Sequence, residues 1–302
     1  RVTAHLREKL VRRDDNDISR KALTVIPARD GRPYVRDAAD NWWRLYLFIE
    51  AAQTYDVIQD ERQAYEAARA FARFQNLLAD MPSPRLHETI PDFHHTVRRL
   101  EALDAAAAAD ICGRHAEVAA EIAFVDERRR QCARLLDLQS RGVIPERITH
   151  NDTKINNVML DDETGEGVCV IDLDTVMPGL ALYDFGDMVR SATASAKEDE
   201  RDLSKVGCRI NMFEALAEGY LKDAIFLLPS EIEELVFSGR LITLTIGIRF
   251  LTDYLSGDTY FRTSRPAQNL DRCRMQFAMV RSMEEQAGAM ESIVRNVLKS
   301  RK

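Results

Sequence analysis

A short polar segment followed by a β-hairpin places the strongest constraint on how this chain can fold. Residues 150–157 read His-Asn-Asp-Thr-Lys-Ile-Asn-Asn. Residues 157–160 and 168–173 are two apolar runs, separated by the turn-forming sequence Asp-Glu-Thr-Gly-Glu-Gly. An antiparallel hairpin brings the outer ends of its strands together, so we expect Asn157 and Asp172 to be neighbours at its open end.

The residue types in this region match what phosphoryl transfer requires. One carboxylate must orient an acceptor hydroxyl and take its proton, and hard oxygen ligands must hold Mg²⁺ against phosphates. The pattern predicts Asp152 as the catalytic base, Asn157 and Asp172 as metal ligands, and Lys154 as a phosphate contact. Alone, Asp152 could be a turn residue and Lys154 a solvated charge, so the prediction depends on their combination.

The remaining sequence indicates an α+β chain with a small first part and a large helical second part. We expect a partial nucleotide-binding part at residues 1–52 and a catalytic and substrate-binding part at residues 53–302. A helix is predicted over residues 1–13, and an antiparallel meander over 22–50 with a turn at Asp30-Gly31. Further helices are predicted over residues 64–78, 96–103, 116–140, 230–255 and 270–298.

Composition narrows the possible partners and the location. The 302-residue chain has a net charge of −7, which argues against nucleic-acid binding. Its five cysteines are scattered, which is typical of reduced thiols in a cytoplasmic protein. No run of about 18 apolar residues stands out, so no membrane partner is expected. The chain begins without Met inside a helical pattern, which suggests that N-terminal sequence is missing.

Two motifs carry a family resemblance. His-x-Asp-x-Lys-x-x-Asn at 150–157, followed by Ile-Asp, resembles the catalytic loop and metal-binding Asp of the protein-kinase-like superfamily. Ile-Asp-x-Asp at 171–174, with no Phe-Gly after Asp172, is similar to the aminoglycoside phosphotransferase and choline kinase branch. The downstream Tyr-Asp-Phe-Gly-Asp at 183–187 also matches this branch, and we expect Asp184 and Asp187 to fix the local backbone.

The resemblance implies a two-lobed, protein-kinase-like fold that uses ATP and Mg²⁺. Its N-terminal lobe is incomplete here, because the phosphate-covering loop and the first strands would precede residue 1. It further implies that the backbone of Phe48, Ile49 and Glu50 reads adenine. Asp174 is expected either to be a second metal ligand or to support the site through hydrogen bonds.

A finer resemblance is to the N-acetylhexosamine 1-kinases. It is carried by Asn151, where most of the branch has Gly, and by the runs at 43–46, 90–94 and 249–255. It implies phosphorylation of the anomeric hydroxyl of N-acetylglucosamine or N-acetylgalactosamine. The sugar would be contacted by Arg249 and Tyr260.

Several alternatives stay open at this point. The acceptor could instead be choline, ethanolamine, homoserine or an aminoglycoside, although no clear aromatic cluster for a cation is visible in the C-terminal helices. Arg249 could simply form an ion pair with Asp253, four residues away on one helix. His94 and His95 are expected to be loop residues rather than metal ligands. A non-catalytic, kinase-like binding protein is the alternative of another class.

Overall fold

The computed structural model describes residues 1–13, 15 and 17–301, and it combines α-helices with short β-strands. Its helices are α1 (Val2–Arg12), α2 (Ile18–Lys21), α3 (Glu61–Leu78), α4 (Thr96–Ala109), α5 (Ala119–Arg128), α6 (Arg134–Ser140), α7 (Ala181–Ala192), α8 (Ile210–Asp223), α9 (Pro229–Glu233), α10 (Leu235–Leu255), α11 (Gln268–Glu285) and α12 (Ala287–Ser300). Its strands are β1 (Val25–Ile26), β2 (Val35–Arg36), β3 (Trp42–Trp43), β4 (Leu45–Tyr46), β5 (Ala52–Gln53), β6 (Arg147–Thr149), β7 (Val158–Asp161), β8 (Gly167–Val170) and β9 (Met177–Gly179). The predicted α+β class, with small N-terminal sheets before a helical body, is confirmed.

The first strands form two nested antiparallel pairs. β1 pairs with β4, and β2 pairs with β3 between them. The turn at Asp30-Gly31 follows β1, and Gly31 has a φ of +83° there, a conformation that glycine adopts without strain. The meander predicted over residues 22–50 is therefore present, in strands of two residues each.

The predicted hairpin is formed by β7 and β8. Val158 is paired with Val170, and the N–H of Ile171 donates to the carbonyl of Asn157 at 2.9 Å. β8 ends at Val170, earlier than expected, because Asp172 has a φ of +56° and leaves the extended conformation. β5 pairs with the other edge of β7, which gives a three-stranded sheet.

Helix α10 lies at the centre of the helical body and packs against α7, α11 and α4. It has the length and mean hydropathy, 1.4, of a membrane span, but 89% of that apolar window is buried inside the protein. The helix was predicted from the sequence, but its long apolar stretch was not recognised. Where α7 crosses α10, a Cβ on Gly186 would lie 2.6 Å from the carbonyl oxygen of Ser238. Only glycine permits this approach.

Three long predicted helices are interrupted. The region 116–140 divides into α5 and α6 around a 3-10 turn at Arg129–Gln131. The region 230–255 divides at Glu234, between α9 and α10. The region 270–298 divides at Gln286, whose side chain donates to the carbonyl of Cys208 at 2.9 Å. Helical periodicity does not reveal this break, because a hydrogen bond to a distant part of the chain holds Gln286 in place.

Candidate active site

The segment 149–157 is held from behind by a buried carboxylate in the first turn of α7. The oxygens of Asp184 accept the backbone N–H groups of His150 at 2.8 Å and Asn151 at 2.7 Å. Gln75 of α3 donates a third hydrogen bond at 2.6 Å. Burial raises the pKa of Asp184 to about 7, while the N–H donors act in the opposite direction. The segment is thus anchored to two core helices.

One turn further along α7, Asp187 and Arg190 form a second buried support. Asp187 accepts the N–H of Thr153 at 2.9 Å and the Nε–H of Arg190 at 2.7 Å. Burial disfavours its ionised form, but the charges of Arg190 and Lys154 outweigh burial and lower the pKa of Asp187. Asp184 and Asp187 therefore both fix the backbone beside Asp152, as the sequence analysis expected.

His150 braces the segment from inside. Its Nε2 lies 2.9 Å from the carbonyl oxygen of Ile171, and its Nδ1 accepts the N–H of Asp152 at 3.3 Å. This pattern requires a neutral ring with its proton on Nε2, in agreement with burial, which lowers the pKa of His150. The rings of Phe71 and Phe74 meet the imidazole edge to face, with centroids 5.4 and 5.9 Å away.

Asn151 has a φ of +67°, a conformation that asparagine tolerates better than most residues. Both polar atoms of its side-chain amide form hydrogen bonds with nearby residues. The amide oxygen accepts the Thr149 hydroxyl at 3.1 Å, and the amide nitrogen donates to the carbonyl of Thr175 at 2.9 Å. The left-handed conformation explains why either Gly or Asn suits this position.

Asp152 lies at the front of the segment, with 27% of its side chain exposed. The Nζ of Lys154 is 2.9 Å from Oδ1, and the Nδ2 of Asn157 donates to Oδ2 at 3.0 Å. Each carboxylate oxygen therefore has one donor that fixes its orientation. A carboxylate held in this way can accept a proton from a hydroxyl placed beside it.

The oxygens of Asn157 and Asp172 are suited to a magnesium ion. The Nδ2 of Asn157 is used by Asp152, which leaves the amide oxygen as a ligand. Asp172 has the left-handed backbone noted above, and such conformations often occur at functional sites. Among the described residues no group of three or more His, Cys, Asp or Glu could hold a metal. Two protein ligands fit Mg²⁺, which takes its other ligands from phosphates and water.

Asp174 forms an ion pair with Arg44, which lies between β3 and β4. Asp174 is the main cause that raises the pKa of Arg44, and the charge of Asp172 adds to it. Asp174 was expected either to bind a metal or to support the site through hydrogen bonds. Its ion pair with Arg44 agrees with the supporting role. The pair also joins the N-terminal strands to the turn that carries Asp172.

Phe48, Ile49 and Glu50 connect β4 to β5. Phe48 is 80% exposed, whereas Ile49 is buried with Leu23 and Cys169 in a small apolar cluster apart from the main core. Within this cluster, Cys169 lies on β8 of the hairpin that ends near Asp172. Adenine contact by these three residues stays a prediction.

Aromatic rings surround Arg249 on α10. The guanidinium carbon lies 4.8 Å from the ring centre of Phe93, 5.4 Å from Phe261 and 5.6 Å from Tyr260. One Nη is 3.4 Å from the Tyr260 hydroxyl. Arg249 and Tyr260 are therefore together, beside a cavity of about 200 Å³. This aromatic cluster was not predicted from the sequence, because its rings come from separate parts of the chain.

Asp253 forms no ion pair with Arg249, so that alternative is wrong. Its carboxylate accepts the backbone N–H groups of residues 259–261 at 2.8 to 2.9 Å. The side chain of Asn269 donates a fourth hydrogen bond at 2.9 Å. Asp253 instead shapes the loop that positions Tyr260.

His94 lies behind the active-site segment. It is buried, and its Nε2 is 2.8 Å from the carbonyl oxygen of Asn151. Its Nδ1 is buried without a hydrogen-bond partner among the described residues. Burial lowers the pKa of His94 to about 4. His94 lies in the turn before α4, which agrees with the expected loop residue, but its contact with the Asn151 carbonyl was not predicted.

One family model matches most of the chain. The model described as the phosphotransferase enzyme family covers residues 20–221. The match includes Asp152, Asn157 and Asp172 but ends before Arg249.

Solved structures with a similar fold include three kinases. A microcompartment-associated aminopropanol kinase is 18% identical, with a TM-score of 0.53, and the match covers 95% of this chain and 83% of that one. An ethanolamine kinase from Plasmodium vivax is 14% identical, with a TM-score of 0.51 and coverage of 89% and 70%. A choline kinase from Cryptosporidium parvum Iowa II is 13% identical, with a TM-score of 0.51 and coverage of 88% and 76%. At these identities the likeness concerns the fold, and it confirms the predicted architecture.

Proposed function

Because this chain belongs to the phosphotransferase enzyme family, we propose that it transfers the γ-phosphoryl group of ATP to the anomeric hydroxyl of an N-acetylhexosamine. The chain is a phosphotransferase that acts on an alcohol group of a small molecule. The observation that carries the proposal is the arrangement around Asp152. A partly exposed carboxylate is held between Lys154 and Asn157, and the hairpin brings Asp172 to the same end.

The reaction assigns one task to each of these side chains. The acceptor oxygen attacks the γ-phosphorus, the bond to the β,γ-bridging oxygen breaks, and ADP leaves with that electron pair. Asp152 takes the hydroxyl proton. Lys154 offsets negative charge on the transferred group, and Asn157 and Asp172 would hold Mg²⁺, whose charge stabilises the phosphates. Phe48, Ile49 and Glu50 would receive the adenine ring.

The surroundings of Arg249 support a sugar over a cationic acceptor. Choline, ethanolamine and aminoglycosides need aromatic faces or carboxylates that are free to receive a positive charge. Here the faces of Phe93, Tyr260 and Phe261 are taken by the guanidinium of Arg249. The N–H donors of Arg249 suit the hydroxyl and carbonyl oxygens of an N-acetylated sugar.

The proposal is tested by incubating the protein with MgATP and each acceptor, and by identifying products with phosphorus NMR. N-acetylglucosamine or N-acetylgalactosamine should give a sugar 1-phosphate. Asp152→Asn should lower kcat by roughly 10²–10⁴-fold, the range for loss of a general base. Asp162→Asn, at the exposed tip of the hairpin, is the matched control and should keep full activity.

Two results would contradict parts of this assignment. Preference for choline or ethanolamine would overturn the sugar acceptor while leaving the phosphotransferase intact. Turnover near the wild-type value in a folded Asp152→Asn protein would overturn the assignment of the base.

A further inference from the structure

The cavity beside Arg249 contains two arginines without a carboxylate partner. Arg99 of α4 and Arg249 of α10 both line it, and Tyr260 and Phe261 form part of its wall. Among the described residues, no carboxylate oxygen lies within 4.0 Å of either guanidinium. Unpaired charges in partly buried places are uncommon because losing their hydration is costly. The pair therefore needs an explanation.

The surroundings of the two arginines make this arrangement unfavourable in the free protein. Arg99 is half-buried, and its Nε and Nη2 share a single acceptor, the carbonyl oxygen of Phe93, at 3.4 and 3.2 Å. Burial lowers the pKa of Arg99. Burial and the neighbouring charge of Arg99 lower the pKa of Arg249. Two like charges beside one cavity would be relieved by an anion inside it.

Nearby carboxylates do not supply that anion. Asp253 lines the cavity, but its two oxygens are taken by three backbone N–H groups and by Asn269. The charge of Asp92 favours the protonated form of Arg99, but its carboxylate does not pair with that guanidinium. The counter-charge is therefore expected to come from a bound molecule.

We propose that this cavity binds an anionic substituent, a carboxylate or a phosphate ester, that the acceptor carries away from its reacting hydroxyl. The inference rests on the proposed function, because it names the class of acceptor. Phe93 packs against Arg249, and the next residue, His94, lies 2.8 Å from the carbonyl oxygen of Asn151. The cavity therefore adjoins the segment that carries Asp152. The planar donors of two guanidinium groups suit the oxygens of either anion. The acceptor is then an acidic sugar derivative.

A substitution of Arg99 distinguishes anion binding in this cavity from a purely structural role of its arginines. Arg249 is already stabilised by three aromatic rings, so its loss would disturb the packing there. Arg99 has only the Phe93 carbonyl. Its neighbour Arg98 provides a matched control, because it is exposed and pairs with Glu101 at 2.7 Å.

The test measures binding without ATP by calorimetry for two matched pairs of sugars. The pairs are N-acetylglucosamine with its 6-phosphate, and glucose with glucuronate. In the wild-type protein the anionic member of at least one pair should bind 10-fold or more tightly than its neutral twin. Arg99→Ala should remove most of this preference and leave the neutral sugar unchanged. Arg99→Lys should keep part of the preference for the anionic sugar, and Arg98→Ala should keep all of that preference.

Other outcomes would overturn the inference. Equal affinity for both members of each pair would exclude an anion in this cavity. Inorganic phosphate that binds as tightly as the anionic sugars, through Arg99, would show a free anion instead of an acceptor substituent. Thermal unfolding of each variant checks its fold. If Arg99→Ala is unstable, the comparison is made with Arg99→Lys instead.

The proposed function and the anion site can fail separately. A protein that binds an anionic sugar through Arg99 but phosphorylates no sugar would overturn the proposed function alone. A protein that phosphorylates neutral N-acetylhexosamines, with no gain from an anionic group, would overturn the anion site alone.

Discussion

His94 should make the stability of this protein sensitive to acid in a range where most carboxylates are still ionised. The imidazole is buried behind the active-site segment and donates from Nε2 to the carbonyl of Asn151. Its Nδ1 has no hydrogen-bond partner in the described part of the chain. Burial of the added proton is the main cost, and it outweighs the attraction of Asp187. The charges of Arg249 and Arg190 add to that cost. The folded state therefore resists this protonation.

The size of the effect follows from the two pKa values. Histidine in an unfolded chain has a pKa near 6.5, and the pKa of His94 in the folded protein is about 4. The stability contributed by neutral His94 is complete above pH 6.5 and is lost as the pH falls through 6.5 towards 4. Proton linkage gives a loss of about 1.4 kcal/mol at pH 5.5 and about 2.6 kcal/mol at pH 4.5.

Urea unfolding at pH 7.5, 6.5, 5.5 and 4.5 measures this loss. His94→Gln retains an amide N–H that can reach the Asn151 carbonyl but cannot be protonated. Its free energy of unfolding should fall less between pH 7.5 and 4.5 than that of the wild type, by about 2.6 kcal/mol. His87→Gln, at an exposed position, should follow the wild-type curve. Parallel curves for His94→Gln and the wild type would refute the reasoning.

Three further changes have defined outcomes. Asp172→Ala should abolish the Mg²⁺ dependence of nucleotide binding, measured by calorimetry, and an unchanged dependence would show that Asp172 is only structural. Arg249→Ala should lower kcat/KM for the sugar by roughly 10–150-fold, the equivalent of about 1.5–3 kcal/mol for a hydrogen bond to a charged group, with KM for ATP unchanged. An unaltered sugar KM would remove Arg249 from the acceptor site. Gly186→Ala should lower the free energy of unfolding in urea by about 1–3 kcal/mol, because its Cβ would overlap Ser238 of α10. A value within 0.5 kcal/mol of the wild type would contradict that packing.

The relative placement of Asp152, Asn157 and Asp172 was predictable because it depends on contacts that are close in sequence. Asp152 and Asn157 are joined within one loop, and a single hairpin is enough to bring Asp172 to Asn157. The meander before residue 50 was predictable for the same reason, since its turns join neighbouring strands. The contacts that anchor the active-site segment to α7 and α3 come from distant parts of the chain.

The cavity that we propose for the acceptor could not be predicted in the same way. Arg99 and Phe93 come from α4 and the turn before it, and Arg249 comes from α10, about half the chain away. They meet because α4 packs on α10, where the hydroxyls of Thr96 and Thr245 are 2.8 Å apart. Helical periodicity marks which face of each helix is apolar, but it does not say which helices meet. The alternative of an ion pair between Arg249 and Asp253 is wrong because the loop after α10 supplies backbone N–H donors to Asp253 instead.

The attachment of the catalytic segment to Asp184 has a consequence for how this protein can be altered. Asp184 holds the backbone at residues 150–151 to α7 and α3, whereas the cavity walls come from α4, α10 and the loop after α10. The residues that anchor the catalytic segment and those that line the proposed acceptor cavity thus come from different helices, and they meet where His94 contacts Asn151. Substitutions at Arg99 or in that loop could redirect the protein to new acceptors during evolution, or in a directed library, without rebuilding the catalytic centre.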